Sequence, residues 1–279
     1  MEDWARETHN GRLPPPSRPV PNPLVLTSSV VASSLRGWRG TASFGPRTRQ
    51  PEQPLRLYEY EASPYCRLVR EALTELDLDA LILPCPQNGN RFRPEVQARG
   101  GKLQFPYLVD PNSSRELYES AEIIDYLSQT YGGRLRASRG LRRSMAIGSA
   151  VLATCSRTNL RSLHGYKARP SKAPAQPLEL YSFESSPYSR PVRELLCELE
   201  LPYLLRNTAK ARWEDMGPPS LRRKLFPALP VEGRNRLRLL ELTGRVQVPY
   251  LVDANTGTAM YESDDIIRYL NRQYGAAET

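Results

Sequence analysis

Apolar and polar positions along the chain follow two rhythms, and the rhythms recur in the same order twice. Leu55–Tyr60 (LRLYEY) alternates with the period of two expected of a half-buried strand. Ser63-Pro64 then supplies an N-cap and a proline at the first helical position, and Val69, Leu73 and Leu76 follow at helical spacing. Ala80–Leu83 (ALIL) reads as a buried strand, followed by a polar stretch. A strand at Tyr107–Val109, a turn at Asp110–Ser114 and a return strand at Glu116–Tyr118 come next. Glu119-Ser120 opens a last helix with Ile123, Ile124 and Leu127 inward, stopped by Tyr131-Gly132-Gly133. The predicted order is β-α-β, then β-β-α.

The second half repeats the first. LRLYEYEASPYCRLVRE (Leu55–Glu71) returns as LELYSFESSPYSRPVRE (Leu178–Glu194), and FPYLVD (Phe105–Asp110) returns as VPYLVD (Val248–Asp253). YESAEIIDYL (Tyr118–Leu127) returns as YESDDIIRYL (Tyr261–Leu270). The offset grows from 123 to 143 residues between the first and the later motifs, which puts about twenty extra residues near 212–238 of the second copy. The lead-ins repeat as well: SLRGWRG (Ser34–Gly40) against NLRSLHG (Asn159–Gly165), and PEQPL (Pro51–Leu55) against PAQPL (Pro174–Leu178). The expected organisation is a Pro/Arg-rich leader with a short helix (1–54), a first domain (55–133), a basic linker with a short helix (134–177), and a second domain (178–279). In the second copy Val192, Leu195, Leu196 and Leu199 are expected to fill the first helix, and Ile266, Ile267 and Leu270 the last.

Composition narrows the function classes. The 279 residues are 39% hydrophobic and carry a net charge of +9, and no apolar run approaches the ~18 residues of a membrane span. Acids at Glu2, Asp3 and Glu7 before the Pro-rich leader argue against a targeting peptide, so a cytoplasmic protein is expected. Four scattered cysteines and two histidines make neither a disulfide framework nor a metal site, and no metal is expected. The segment 132–177 holds ten Lys/Arg and no Asp or Glu. It reads as a solvated connector, or as a surface for an acidic protein or an acidic membrane. No aromatics are interleaved with these basic residues as single-stranded nucleic acid would need, so nucleic acid is not expected as a partner.

The order of elements, with Ser63-Pro64-Tyr65-Cys66, Phe105-Pro106-Tyr107 and Glu119-Ser120 in one copy, resembles the thioredoxin fold. Ser186-Pro187-Tyr188-Ser189, Val248-Pro249-Tyr250 and Glu262-Ser263 carry the same likeness in the other. More narrowly, each copy resembles the N-terminal domain of glutathione transferases and the glutaredoxins, over roughly 55–131 and 178–275. The expected architecture is therefore α/β, two tandem thioredoxin-like domains with short helical lead-ins. The resemblance implies glutathione, or another small thiol, as ligand or co-substrate.

What the resemblance implies for single residues follows the motifs. The attacking cysteine of the glutaredoxin motif is replaced by Ser63 and Ser186, so dithiol reductase chemistry is not expected. Cys66 keeps the second position, where a lone thiol can still react, which makes it a candidate catalytic residue, and Ser189 replaces it in the second copy. Some glutathione transferases use a serine here to hydrogen-bond the thiolate, which makes Ser63 and Ser186 candidate activating groups; the simpler reading of both is a helix cap. Pro106 and Pro249 match the family's cis-proline, with Phe105 and Val248 pairing to the cysteinyl backbone. Tyr65 and Tyr188, within the helix-start motifs, are candidate glutathione-binding residues by the same resemblance. Glu119-Ser120 and Glu262-Ser263 match the pair that holds the γ-glutamyl group, and capping alone also explains them. Cys85, in an exposed-looking Pro-Cys-Pro, is a candidate disulfide partner of Cys66, and Cys197 reads as a small buried hydrophobe. The family's all-helical second domain is not legible, so the lead-ins Leu24–Gly40 and Ile147–Gly165 are expected to cover the exposed faces. Three function classes follow: a glutathione-dependent transferase, a glutathione-binding or redox-sensing module without turnover, and a structural tandem docking a partner through its basic linker.

Overall fold

The computed structural model describes residues 23–45, 48–132, 135–159, 162–217, 225–226 and 229–276. The leader through residue 22, Gly133 and much of 218–228 lie outside the described residues. Helix α1 (Pro23–Leu35) precedes the first unit, which runs β1 (Leu55–Glu59), α2 (Pro64–Glu75), β2 (Ala80–Pro84), α3 (Arg93–Gly100), β3 (Tyr107–Asp110), β4 (Arg115–Leu117) and α4 (Ser120–Tyr131). Helix α5 (Gly140–Cys155) and the two-residue strands β5 (Thr158–Asn159) and β6 (Ser162–Leu163) follow. The second unit repeats the first: β7 (Leu178–Ser182), α6 (Arg190–Glu198), β8 (Tyr203–Asn207), α7 (Arg234–Thr243), β9 (Tyr250–Asp253), β10 (Thr258–Tyr261) and α8 (Ser263–Tyr274).

The predicted elements are present, and each unit adds a helix within what reads as a polar stretch. Helix α3 has eight residues and a single buried one, Val96, so no apolar stripe announces it. The extra residues of the second unit fall between β8 and α7 and include a 3₁₀ turn at Trp213–Asp215. The repeated Pro-x-Gln-Pro-Leu has a local job. Asn112 and Asn255, in the β3–β4 and β9–β10 turns, each bond both the N–H and the carbonyl of Gln53 or Gln176.

The eight longer strands form one sheet, in the order β10-β9-β7-β8-β2-β1-β3-β4. Within each unit the first two strands are parallel, β1 with β2 and β7 with β8, and the rest are antiparallel. The units meet where β2 pairs antiparallel with β8: Ala80 with Leu205, Leu81 with Leu204 and Ile82 with Tyr203. Leu81 and Leu204 occupy matching positions of the repeat, so an approximate two-fold axis passes through their pair. Each edge strand thereby covers the other, and neither unit exposes an open ladder at this end. The main apolar core runs through both units, from Leu57, Val69 and Ile82 to Leu180, Leu196 and Leu205.

The lead-ins are exchanged across that axis. After α1 the chain crosses to the second unit: Ser185 N–H bonds Gly40 O, and Lys210 N–H bonds Thr41 O. After β6 it crosses to the first: Ala62 N–H bonds Gly165 O, and Gln87 N–H bonds Tyr166 O. Gly40 and Gly165 both have φ of +70°, and a Cβ at either would sit 2.8 Å from the Cβ of Glu184 or Glu61 in the opposite unit. The basic linker is thus more than a solvated connector: α5, which starts at Gly140 rather than near Ile147, packs on α1 and α2.

Charged residues are buried along the same joint. Arg70 contacts Glu59, Glu61 and Glu184, and Arg193 contacts Glu61 and Glu184 at 3.0 Å each, all with side chains at most 2% exposed. Arg36 makes a two-pronged pair with Glu71, and Arg157 does so with Glu194. The surplus guanidinium of Arg36 reaches Ser149 on α5, and that of Arg157 reaches Ser28 on α1. Burial works to raise the Glu184 carboxyl, but Arg193, Arg70, Arg67 and Arg190 outweigh it and hold that group down at about 2. Glu59, which has no counterpart because Ser182 replaces it, is pushed up by burial to about 7, its partner Arg70 being shared with two other carboxylates.

Candidate functional site

In each unit the candidate residues sit at the N-terminal ends of two helices and in the loop before the third strand. Ser63 caps α2, its buried Oγ accepting the Cys66 N–H at 3.2 Å. Ser186 accepts the Ser189 N–H at 3.2 Å and the Ser189 hydroxyl at 2.9 Å, and is buried as well. Tyr65 and Tyr188 are exposed on the same turns. The Phe105–Pro106 and Val248–Pro249 bonds are both cis.

Cys66 is fully buried, and its thiol is pushed up to about 12 by that burial and by the nearby Glu59 carboxylate. A thiol in that state is an inert thiol. Cys85, expected at an exposed spot, is also fully buried, because Cys85 N–H bonds Glu59 O and its side chain packs with Tyr58 and Val96. Both are free thiols. Cys197 is buried as expected, its Sγ lying 3.4 Å from both Glu61 N and Gly165 O at the joint.

The last pair is built with the most effort. Glu119 and Glu262, one residue before α4 and α8, have φ of +60° and +68° with ψ of 114° and 118°. Long side chains rarely adopt that conformation, and residues held there cost roughly 1–3 kcal/mol. A glutamine two residues before the cis-proline holds each carboxylate: Gln104 Nε2 bonds Glu119 Oε1, and Gln247 Nε2 bonds Glu262 Oε1 at 2.7 Å. These glutamines belong to the candidate site by their contacts and are not among the motif residues, although Gln-x-Pro-Tyr-Leu-Val-Asp stands in both copies. Ser120 and Ser263 follow at the first helical position, largely buried, and their hydroxyls have no hydrogen-bond partner among the described residues.

In the first unit these groups are brought together. Ser63 N–H bonds Tyr60 O, the Tyr60 ring meets Phe105 edge-on at 6.2 Å, and Gln104 bonds Glu119. Leu68, one turn beyond Ser63, shares a cleft with Ser120. The linker closes over that cleft through Leu135, Arg136 and Arg143, with Arg143 3.6 Å from Glu119, and leaves about 30 Å³. That is roughly the space of one water molecule. The helix N-terminus favours an anion, while Glu122 in the first turn of α4, and Asp264 and Asp265 in that of α8, work against it. Among the described residues there is no group of three or more His, Cys, Asp or Glu that could hold a metal, and no helix long and apolar enough to cross a membrane.

The family model described as "Glutathione S-transferase, N-terminal domain" matches residues 57–135 and again 180–278. The chain belongs to that family. The two matches coincide with the two units, so this member of the glutathione S-transferase N-terminal-domain family carries the domain in tandem. Among solved structures it is similar to "Leishmania TDR1 - a unique trimeric glutathione transferase", at 13% identity over 78% of this chain and 68% of that one. The TM-score of 0.25 is too low to set the two folds side by side. Comparison with curated proteins returns no match.

Proposed function

We infer that the protein binds glutathione, or another thiol with a γ-glutamyl head, at Glu119-Ser120 and Glu262-Ser263. The observation that carries this reading is the duplicated Glu-Ser pair: a glutamate held in a costly left-handed conformation by a glutamine, beside a serine whose hydroxyl is unspent. Strain at matching positions of two diverged copies supports a ligand role over capping, since neither glutamate side chain caps its helix. The donor set fits an amino acid head group. The serine hydroxyl and the free N–H groups of the helix start suit its carboxylate, and the glutamate suits its ammonium. In the first unit a tripeptide needs more room than the cleft gives, so its binding there is tied to displacement of Leu135–Arg143.

Turnover through a protein thiol is not part of this reading, because Cys66 is buried and Ser189 replaces it in the second unit. A conjugating activity is the second reading, and Ser186 favours it. Its oxygen accepts two hydrogen bonds from Ser189, which leaves its own proton to donate to a bound thiolate. A reducing, cytoplasmic setting suits the buried cysteines Cys66, Cys85 and Cys197, which form no disulfide.

Calorimetric titration of the full chain with glutathione tests the reading, with Ser120→Ala and Ser263→Ala as variants. Each serine at an occupied site is expected to contribute about 1.5–3 kcal/mol through a charge-assisted hydrogen bond, a loss of ten-fold or more in affinity on removal. No binding at several millimolar, or both variants binding like the parent, would overturn it.

A further inference from the structure

The twenty-residue surplus of the second unit has no part in the glutathione reading, yet it builds a second cleft. Its 3₁₀ turn is anchored from behind by the buried Asp215–Arg236 pair at 3.1 Å, and it carries Trp213 outward, 72% exposed. Opposite stands the exchanged lead-in of the first unit, where Lys210 N–H bonds Thr41 O and Ser43 N–H bonds Lys210 O. The Phe44 ring stacks on Trp213 at 4.7 Å. Trp38 enters the same cleft from a turn in which Gly37 and Trp38 both have φ of +58°. A bulky residue held left-handed is an outlier, and here Trp38 N–H is bonded to Ser33 O and its carbonyl accepts the Thr41 hydroxyl. Leu76, Leu135 and Met216 complete a cleft of about 450 Å³.

That volume falls within the ~300–1,000 Å³ of small-molecule sites. The charge at the rim is cancelled: Arg39 makes a two-pronged pair with Glu75 at 2.7 and 3.0 Å. Three rings facing an electrically balanced, open-sided cleft select flat, uncharged π-systems, which stack face to face or edge to face and demand no buried counter-charge. We propose that the cleft between Trp38, Phe44 and Trp213 is a binding site for a planar, uncharged aromatic molecule. The first unit has no equivalent, because it lacks the inserted turn. Arg39 and Leu135 also line the Ser120 cleft, so the two sites are neighbours. Binding here needs no glutathione.

The test is titration of the full chain with N-phenyl-1-naphthylamine, a neutral aromatic probe whose emission rises in apolar surroundings. Saturable binding at one site is expected, with affinity falling about ten-fold or more in both Trp213→Ala and Phe44→Ala. Both residues are substantially exposed, and circular dichroism confirms that the variants fold. Leu152→Ala, which trims an exposed apolar side chain on α5 away from the cleft, is expected to bind as the parent does. With Trp4 replaced by Phe, the two remaining tryptophans both line the cleft, and their emission is expected to be quenched as the probe binds. Ser120→Ala and Ser263→Ala are expected to leave probe binding unchanged, so failure of the glutathione reading is seen separately. The proposal is overturned by absent or non-saturable binding. It is equally overturned if Trp213→Ala and Phe44→Ala bind like the parent, or if Leu152→Ala weakens binding as much as they do.

Discussion

The two units carry the same motifs at fixed offsets, yet they have diverged around them. In the first, Cys66 follows the capping serine, Glu59 sits under it, and the linker closes over Ser120. In the second, Ser189 extends a hydrogen-bond relay to Ser186, Ser182 replaces the buried acid, and the inserted turn reaches out to its neighbour. What stays constant is instructive. Glu61 and Glu184 pair with Arg193 and Arg70 across the joint, and Glu71 and Glu194 each hold the lead-in arginine of their own half. Contacts across the axis and the Glu-Ser pairs with their glutamines are held in common, whereas the residue after the helix-start tyrosine, the acid at the end of the first strand and the segments around the clefts differ.

The largest expected effect tests the joint. Arg70→Met strands Glu59 and leaves Glu184 half-paired in a dry interior, so a loss of about 3–5 kcal/mol is expected in urea denaturation. Arg193→Met removes both side-chain hydrogen bonds to Glu61, yet it is expected to cost less, because Glu61 and Glu184 each retain Arg70, at 3.4 and 2.9 Å, whereas Glu59 has no second arginine among the described residues. Equal losses would break that asymmetry.

Gly40→Ala and Gly165→Ala come next. At both, the added methyl meets a glutamate Cβ at 2.8 Å from a backbone with φ of +70°. A similar loss of roughly 1–3 kcal/mol is expected for each, from strain and overpacking. A large difference between them in thermal melts would show that the exchange is not mutual.

The smallest effect is a pH slope belonging to the first unit alone. The folded-state Glu59 carboxyl titrates at about 7, above the ordinary 4.5, so the folded chain holds that proton more tightly than the unfolded one. Stability from this group is therefore complete below about 4.5 and is lost as pH rises to about 7. The loss is expected to be on the order of 1–3 kcal/mol. Glu59→Gln is expected to flatten the slope between pH 5 and pH 8. The same substitution without effect on the slope would assign the proton elsewhere.

Much of this arrangement was legible along the chain. The Ser-Pro starts, the buried aliphatic strands and the glycine stop at Gly132 are local signals, and each element they announce is present. Helix α3 was not legible because one buried valine makes no stripe. Cys85 was misjudged for a related reason. Flanking prolines suggest a surface loop, but burial there is decided by Tyr58 and Val96, which come from other elements. The arginines of YCRLVRE look like the solvent face of a helix; they are buried because the partner surface belongs to a unit 123 residues away. Their retention in both copies, where Leu68 became Pro191, was the available hint. Of the candidate site, the Glu-Ser pairs and the prolines are implied by the resemblance to the family's motifs, whereas the cover over Ser120 comes from a linker with no counterpart motif.

The mutual exchange of lead-ins makes the chain, in effect, a dimer sealed by its own peptide bond. A half-length ancestor pairing through the same edge strand would meet its twin at the same leucine, with an equilibrium that dilution could reverse. Joined end to end, the halves cannot part by dilution. They also escape a rule that binds every true two-fold dimer, that each substitution is carried twice. A carboxylate can enter the joint from one side only, and an aromatic arm can grow on one half to meet an unaltered partner. Covalent fusion thus gives each half its own mutational history while the seam between them remains shared.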